Sequence, residues 1–195
     1  SKSLRFEDSA SVYLSKTPTV AGNRKTWTWS GWVKRGNLGT YGALFGAWNG
    51  ASLQDELVFR GSATDNYLSA EVYEGGGSGR GRAHTEMVFH DPSAWYHVVW
   101  VWDTTQATAA DRSIIYVNGE RQDIRSGTLI SPAQNSLSQI NNSVTHLIGQ
   151  QGDGSQWYDG YLAEVNFIDG TALTPATFGE TDSDTNQWKP KAAAD

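Results

Sequence analysis

The run Trp95 to Trp102, WYHVVWVW, is apolar on both faces of an extended chain and consists mostly of the aromatic and β-branched residues that suit a pleated backbone. A strand of this kind has to be covered on both sides, so the rest of the chain must supply at least two layers around it. His97 within it reads as a satisfied core histidine rather than a base. A second strand, Thr26 to Val33, sets Trp27, Trp29, Gly31 and Val33 on one face and Thr26, Thr28, Ser30 and Trp32 on the other. A third lies in the stretch Trp157 to Gly179. There Tyr161, Ala163, Val165 and Phe167 alternate with Leu162, Glu164, Asn166 and Ile168, between the turn dipeptides Asp159-Gly160 and Asp169-Gly170. The first of these two sets is apolar throughout, which predicts one fully covered face. Beyond it, Thr174 is placed to cap one short helical turn opened by Pro175, with Leu173 and Phe178 as a hydrophobic staple and Gly179 as its end.

Shorter strands fill the remainder. Leu4 to Phe6 and Val12 to Leu14 flank the Glu7-Asp8-Ser9 turn and are expected to pair with the C-terminal half. Ala43 to Trp48, Glu56 to Arg60, Tyr67 to Tyr73 and His84 to Phe89 read as an antiparallel meander. Ser113 to Val117 and Glu120 to Ile124 form a hairpin around Asn118-Gly119, and Thr145 to Ile148 adds one more strand. Glu74 to Arg82, EGGGSGRGR, reads as a mobile loop and Gly127 to Ser143 as a long polar surface loop. Nine Trp and 21 Gly fit many short strands joined by tight turns, so the expectation is an all-β fold in a single domain over residues 1–195.

A net charge of −6 and a pI near 5.1 argue against nucleic acid or anionic lipid as partners, because both require a basic surface. No apolar run approaches the length of a membrane-inserting helix. With no cysteine, disulfides and thiolate metal sites are excluded, and the core has to hold the fold unaided.

The order of the motifs LRF, TWTWSGWVKR, AWYHVVWVWD, IIYVNGE, HLIGQ and DGYLAEVNFIDGTALTPATFGE resembles the laminin-G-like branch of the concanavalin A-like jelly rolls, from Leu4 to Glu180. The resemblance implies a two-sheet antiparallel jelly-roll sandwich whose concave face and adjoining loops bind carbohydrate in some members. The ending, with Thr174-Pro175, Phe178-Gly179-Glu180 and Trp188-Lys189-Pro190, is similar to that of marine bacteriophage virion proteins. That similarity implies a non-catalytic structural protein, a capsid decoration or tail or fibre appendage exposed on the virion surface. Its partners would be other virion proteins and further copies of itself, with host-surface polysaccharide as a ligand. The alternative is a carbohydrate-binding adhesion module of a longer fibre or of a secreted, extracellular protein.

Glycan-cleaving enzymes of this fold carry a Glu-x-Asp-x-Glu run on one strand, which the sequence lacks; a carboxylate pair about 5 to 9 Å apart in the cleft would restore the enzymatic reading. Glu164 stands alone in its strand and reads as a structural acceptor. Sugar binding needs exposed aromatic faces with a few fixed polar groups around them. Strand ends and loops offer Trp48, Asn66, Tyr67, Arg80, Arg82, Gln156, Trp157 and Tyr158. Trp157 and Tyr158 are adjacent, so their side chains point to opposite faces and one can escape the core. The laminin-G resemblance also implies a calcium ion at the sandwich edge, for which Asp153 and Asp159 are candidate ligands; solvated turn residues are the plainer reading of both.

Overall fold

The computed structural model describes residues 2–50, 54–61, 65–73 and 80–191, with the backbone alone at 73 and 80. Most of the glycine-rich loop expected at 74–82 therefore lies outside the described residues. The first strands are β1 (Ser3–Phe6), β2 (Leu14–Lys16), β3 (Thr26–Arg35), β4 (Gly42–Trp48) and β5 (Gln54–Arg60). They are followed by β6 (Tyr67–Tyr73), β7 (Arg80–Val88), β8 (Tyr96–Asp103), β9 (Ser113–Val117) and β10 (Glu120–Arg121). The chain closes with β11 (Thr145–Ile148), β12 (Gly160–Asp169), β13 (Gly179–Thr181) and β14 (Trp188–Pro190). One antiparallel sheet runs β1-β12-β3-β8-β9-β10, a second runs β2-β11-β4-β5-β6-β7, and β13-β14 is a separate hairpin. The two expected N-terminal strands do pair with the C-terminal half, β1 on β12 and β2 on β11, although β2 begins two residues later than the alternation suggested.

All eight residues of β8 are buried. On its inner face Trp100 and Trp102 sit opposite Trp29 and Trp27 of β3, and all four indoles are fully enclosed. Trp27 meets Trp100 edge-on at 4.8 Å and lies parallel to Trp102 at 6.0 Å, arrangements that suit the ring quadrupoles.

The loop from 127 to 143 departs from expectation. Ser138 and Ile140 are completely buried, and Trp27 Nε1 donates to Ser138 Oγ at 2.9 Å. Asp55, also enclosed, accepts hydrogen bonds from the backbone N–H of Gln139 and Ile140. The polar residues that suggest a surface loop instead satisfy an indole N–H and a buried carboxylate, neither of which can be left unpaired away from water.

The strand β12 also differs from its simple alternation. Leu162 faces Val33, whereas Phe167 faces Trp29, because the register shifts by a bulge between Ala163 and Asn166. Glu164 in that bulge has φ of +48°, an uncommon backbone for a residue carrying a Cβ. The four apolar residues expected on one face are thus divided. Tyr161 and Ala163 pair with outward-facing Lys34 and Trp32, while Val165 and Phe167 turn toward the core.

The outer face of β8 is covered by the C-terminal segment. Thr28 Oγ1 donates to the Thr171 carbonyl at 2.8 Å and accepts from the Leu173 N–H at 2.9 Å. The helical turn at Pro175–Thr177 is 3-10, and Thr174 makes no side-chain cap to it. Gly179 ends the turn as expected but also starts β13, where a Cβ would lie 2.5 Å from the Trp188 indole. A Cβ at Gly119, in the Asn118-Gly119 turn, would lie 2.8 Å from the same indole. Trp188 therefore packs closely against two glycines, and its Nε1 donates to His97 Nδ1 at 3.0 Å.

His97 Nε2 meets Ser30 Oγ at 2.9 Å, so both ring nitrogens are used; the accepting Nδ1 leaves the single proton of the neutral ring on Nε2. Burial pushes the imidazole down from 6.5 to about 4. The folded state requires the neutral ring, so this contribution is complete above about pH 6.5 and is lost as the pH falls toward 4, a total of about 3 kcal/mol. The stability advantage of the native chain over His97→Gln, measured by urea unfolding, is expected to shrink steadily from pH 7 to pH 4.5; a constant difference contradicts the assignment.

Candidate functional site

In β5 the alternation sends Leu57 and Phe59 into the core and leaves Gln54, Glu56, Val58 and Arg60 on the outer face of the second sheet. In β6, Leu68, Ala70 and Val72 point inward, which puts Tyr67, Ser69 and Glu71 beside that outward set. The register then matters. Glu56 lies opposite Glu71, Arg60 opposite Tyr67, Ser69 opposite His84, and Trp48 of β4 opposite Gln54.

Two carboxylates thus meet side by side, and Arg60 lies between them. Its Nη2 contacts Glu71 Oε1 at 2.5 Å and Glu56 Oε1 at 3.3 Å. Glu71 Oε1 also accepts from Ser69 Oγ at 3.0 Å and meets His84 Nε2 at 3.2 Å. Glu56 Oε2 accepts from Gln54 at 3.0 Å and from Gln151 at 2.7 Å. Both acids are buried, 2% and 4% exposed. Burial pushes Glu56 up to about 7, with the neighbouring charge of Glu71 adding to the shift and Arg60 opposing it. The two acids are cross-strand neighbours, but the Arg60 guanidinium lies between them, where a sugar would have to enter. The pair is an internal ion network that stiffens the floor of this face.

Aromatic rings stand around that floor. Tyr41, 41% exposed, lies over the Arg60 guanidinium at 5.1 Å. Tyr67 stacks at 4.8 Å from His84, and Arg125 covers it at 4.6 Å. Trp48 is half-buried, and the loop that crosses from β11 to β12 runs close to it: a Cβ at Gly152 would lie 2.3 Å from the Trp48 side chain.

Of the residues expected at a ligand surface, Trp48, Tyr67 and Arg82 share this side of the molecule. Arg82 Nε is engaged by the Thr128 carbonyl at 3.0 Å. Gln156 and Trp157 belong to the crossing loop; Gln156 takes φ of +50° and its carbonyl accepts from the Ala43 N–H, while Trp157 is half-buried against exposed Tyr13 at 5.6 Å. Two expectations are corrected. Tyr158 is the inward member of its pair, 1% exposed among Phe6 and Phe59, with its hydroxyl donating to the Lys34 carbonyl, so no ligand reaches it. Asn66 is 2% exposed with φ of +40°, and its side chain accepts from the Gly39 N–H, which makes it a turn residue. The Arg80 side chain lies outside the described residues.

The expected calcium pair is also taken apart. Asp153 Oδ1 accepts from the N–H and hydroxyl of Ser155, closing its own turn. Asp159 instead joins Glu7 and Asp8, with ligand-type atoms within 4.8 Å of one another, a group that does not include Asp153. Arg5 ion-pairs with both Glu7 and Asp159, so a cation already occupies the acidic group. These residues do not fit a calcium site.

Glu56 and Arg60 could be found from β5 alternation, since residues four apart in a strand share a face. Their partners Glu71 and Gln151 depend on register and on the loop crossing, which no local pattern announces.

Two six-stranded antiparallel sheets with a rigid polar face rimmed by aromatic side chains define a lectin-like sandwich, the architecture of many carbohydrate-binding modules. The chain belongs to the concanavalin A-like lectin/glucanases superfamily, whose laminin-G-type family model matches residues 6–177. No curated protein sequence matches the chain. Among solved structures, the LG4-5 domains of the mouse laminin α1 chain align at 12% identity and a TM-score of 0.60, over 98% of this chain and 45% of that one. Domain 4 of an extracellular GH43 arabinanase of Geobacillus stearothermophilus, solved with arabinotriose, aligns at 19% identity and a TM-score of 0.53, over 81% and 66%. The CBM40 of the Ruminococcus gnavus IT-sialidase, bound to α2,3-sialyllactose, aligns at 14% identity and 0.54, over 84% and 95%. At these identities the likeness is one of fold.

A raised Glu56 pKa has a sign opposite to that of His97: its contribution is complete below about pH 4.5 and is lost as the pH rises through 7, by about 3 kcal/mol at most. Urea unfolding is expected to show Glu56→Gln gaining on the native chain as the pH rises from 4.5 to 7.5.

Proposed function

We propose that the chain is a non-catalytic carbohydrate-binding module that engages glycan across the outer face of the second sheet. The observation that carries this reading is the geometry of that face. Exposed Tyr41 and the partly covered Tyr67 and Trp48 surround a floor whose polar side chains hold one another in place, so the aromatic rim stands on a base that does not rearrange on binding. The carbohydrate-bound arabinanase domain and CBM40 among the similar structures support it by analogy of fold.

A second reading is favoured by the C-terminal motif alone, from Thr174-Pro175 to Trp188-Lys189-Pro190, with its resemblance to phage virion proteins. In it, the module sits on a virion surface, docked through its edges to other virion proteins as a symmetric oligomer, and meets host polysaccharide there. Antibodies against the chain then label intact particles in electron micrographs; unlabelled particles remove this reading and leave the glycan-binding one in place.

On a glycan array the purified chain is expected to retain at least one polysaccharide, with affinity reduced by about tenfold, ~1.4 kcal/mol, in Tyr67→Ala or Trp157→Ala at unchanged melting temperature. A blank array refutes the reading. Incubation with laminarin or agarose is expected to release no new reducing ends, and measurable turnover would show that the chain is an enzyme.

A further inference from the structure

A second aromatic surface lies on the opposite side of the sandwich, between the first sheet and the C-terminal hairpin. Its floor is Trp32 of β3, 8% exposed; its walls are Trp95, 37% exposed just ahead of β8, and half-buried Trp188 at the start of β14. Small residues, Ser3 and Ala163, leave the space between them open as a cavity of about 350 Å³. These indoles are not part of the core, which has its own four at 27, 29, 100 and 102. Trp188 is also fixed in advance, by close packing against Gly119 and Gly179 and by its hydrogen bond to His97, so ordering it on binding costs little.

Glu164 lines this cavity. It is the strained bulge residue of β12, with φ of +48°, and its carbonyl accepts from the Asn166 side chain. Its carboxylate, contrary to the structural-acceptor role expected from sequence, has no hydrogen-bond or ion-pair partner among the described residues. A non-glycine residue in this conformation in mid-strand, carrying an unused acceptor toward a cavity, is the kind of strain that accompanies a site rather than a scaffold. Lys189 on the rim is engaged by Asp182 at 2.8 Å, which leaves Lys2 and Glu164 as opposite and cancelling charges. A second cavity of about 560 Å³ shares Trp32, Glu164 and Pro190 with the first and is lined further by Ser30, His97 and Phe178.

We infer that this groove is a further glycan subsite: a neutral pyranose ring lies against Trp95 and Trp188, Glu164 accepts hydrogen bonds from its hydroxyls, and the adjoining cavity takes the next sugar. The inference rests on the carbohydrate-binding reading above and places a second contact on the face away from the first. Flat apolar walls match the C–H face of a pyranose, the carboxylate matches a pair of hydroxyl donors, and Glu164, which lines both cavities, disfavours a second negative charge beside it, while Lys191 of the second cavity donates to the Ala176 carbonyl.

Calorimetric titration with cellotriose, maltotriose, laminaritriose and 3′-sialyllactose tests it. At least one neutral trisaccharide is expected to bind, more tightly than the sialylated one, and to lose about tenfold in affinity in Trp95→Ala and in Glu164→Gln. Glu164→Gly separates site from scaffold, because it relieves the backbone strain while deleting the carboxylate; it is expected to melt higher than the native chain yet bind about tenfold more weakly. Binding that survives all three substitutions but falls in Tyr67→Ala overturns the groove and leaves the carbohydrate-binding reading intact. Tighter binding of 3′-sialyllactose overturns the choice of a neutral ring. No binding of any of the four, together with a blank array, overturns both.

Discussion

Everything else in this structure follows from the double burial of β8. Its inner side is covered by the second sheet through the indoles at 27, 29, 100 and 102, packed edge-on and parallel in a space closed to water. Its outer side carries polar and ionisable groups, Thr28 and Ser30 of β3 and His97 of β8 itself, and these also lie at or below 1% exposure. Apolar packing cannot cover such groups; each needs a partner. The C-terminal segment supplies them, with backbone from 171 and 173 on Thr28 and the Trp188 indole on His97. The C-terminal hairpin is therefore a cover that the sheet requires, and the two glycines beside Trp188 exist where its ring has to approach closely.

The two outer faces solve the same covering problem differently, and the difference decides what each can do. On the second sheet Arg60 lies between Glu56 and Glu71, His84 meets Glu71 on the sheet itself, and the loop bringing Gln151 closes the network. Burying such a network contributes little net stability, because desolvation offsets attraction, but it fixes geometry. The surrounding tyrosines and Trp48 thereby stand on a rigid base. On the first sheet the cover is a narrow hairpin rather than a whole layer, so it leaves open space beside itself, lined by the residues that hold it.

Much of the fold could be read directly. WYHVVWVW and TWTWSGWVKR declare themselves because burial on one or both faces of a strand writes a period of two, or its absence, into adjacent residues. Asn118-Gly119 announces its hairpin for a similarly local reason, since Gly119 takes φ of +89°. Where a bulge or a crossing loop intervenes, the local rule fails. The alternation of Tyr161, Ala163, Val165 and Phe167 is real in the sequence, yet one extra residue in the bulge sends half of the set to the other face. The segment 127–143 looked like surface because Ser138 and Gln139 are polar, and its polarity turned out to serve buried groups far away in the chain.

The candidate site divides along the same line. That Trp157 and Tyr158 point opposite ways was determined by sequence alone; that Tyr158 is the one enclosed was decided by Phe6 and Phe59 arriving beside it. That Glu56 and Arg60 share a face was likewise local, whereas Glu71 opposite Glu56, Arg5 upon Asp159 and Trp188 upon His97 join residues distant along the chain. The sequence by itself determined which residues lie in strands and which side of its own strand each one occupies, because side-chain direction alternates with the backbone. Only the tertiary structure decided which strands meet, in what register and under which cover, because those choices depend on packing and hydrogen-bond satisfaction summed over the whole sandwich.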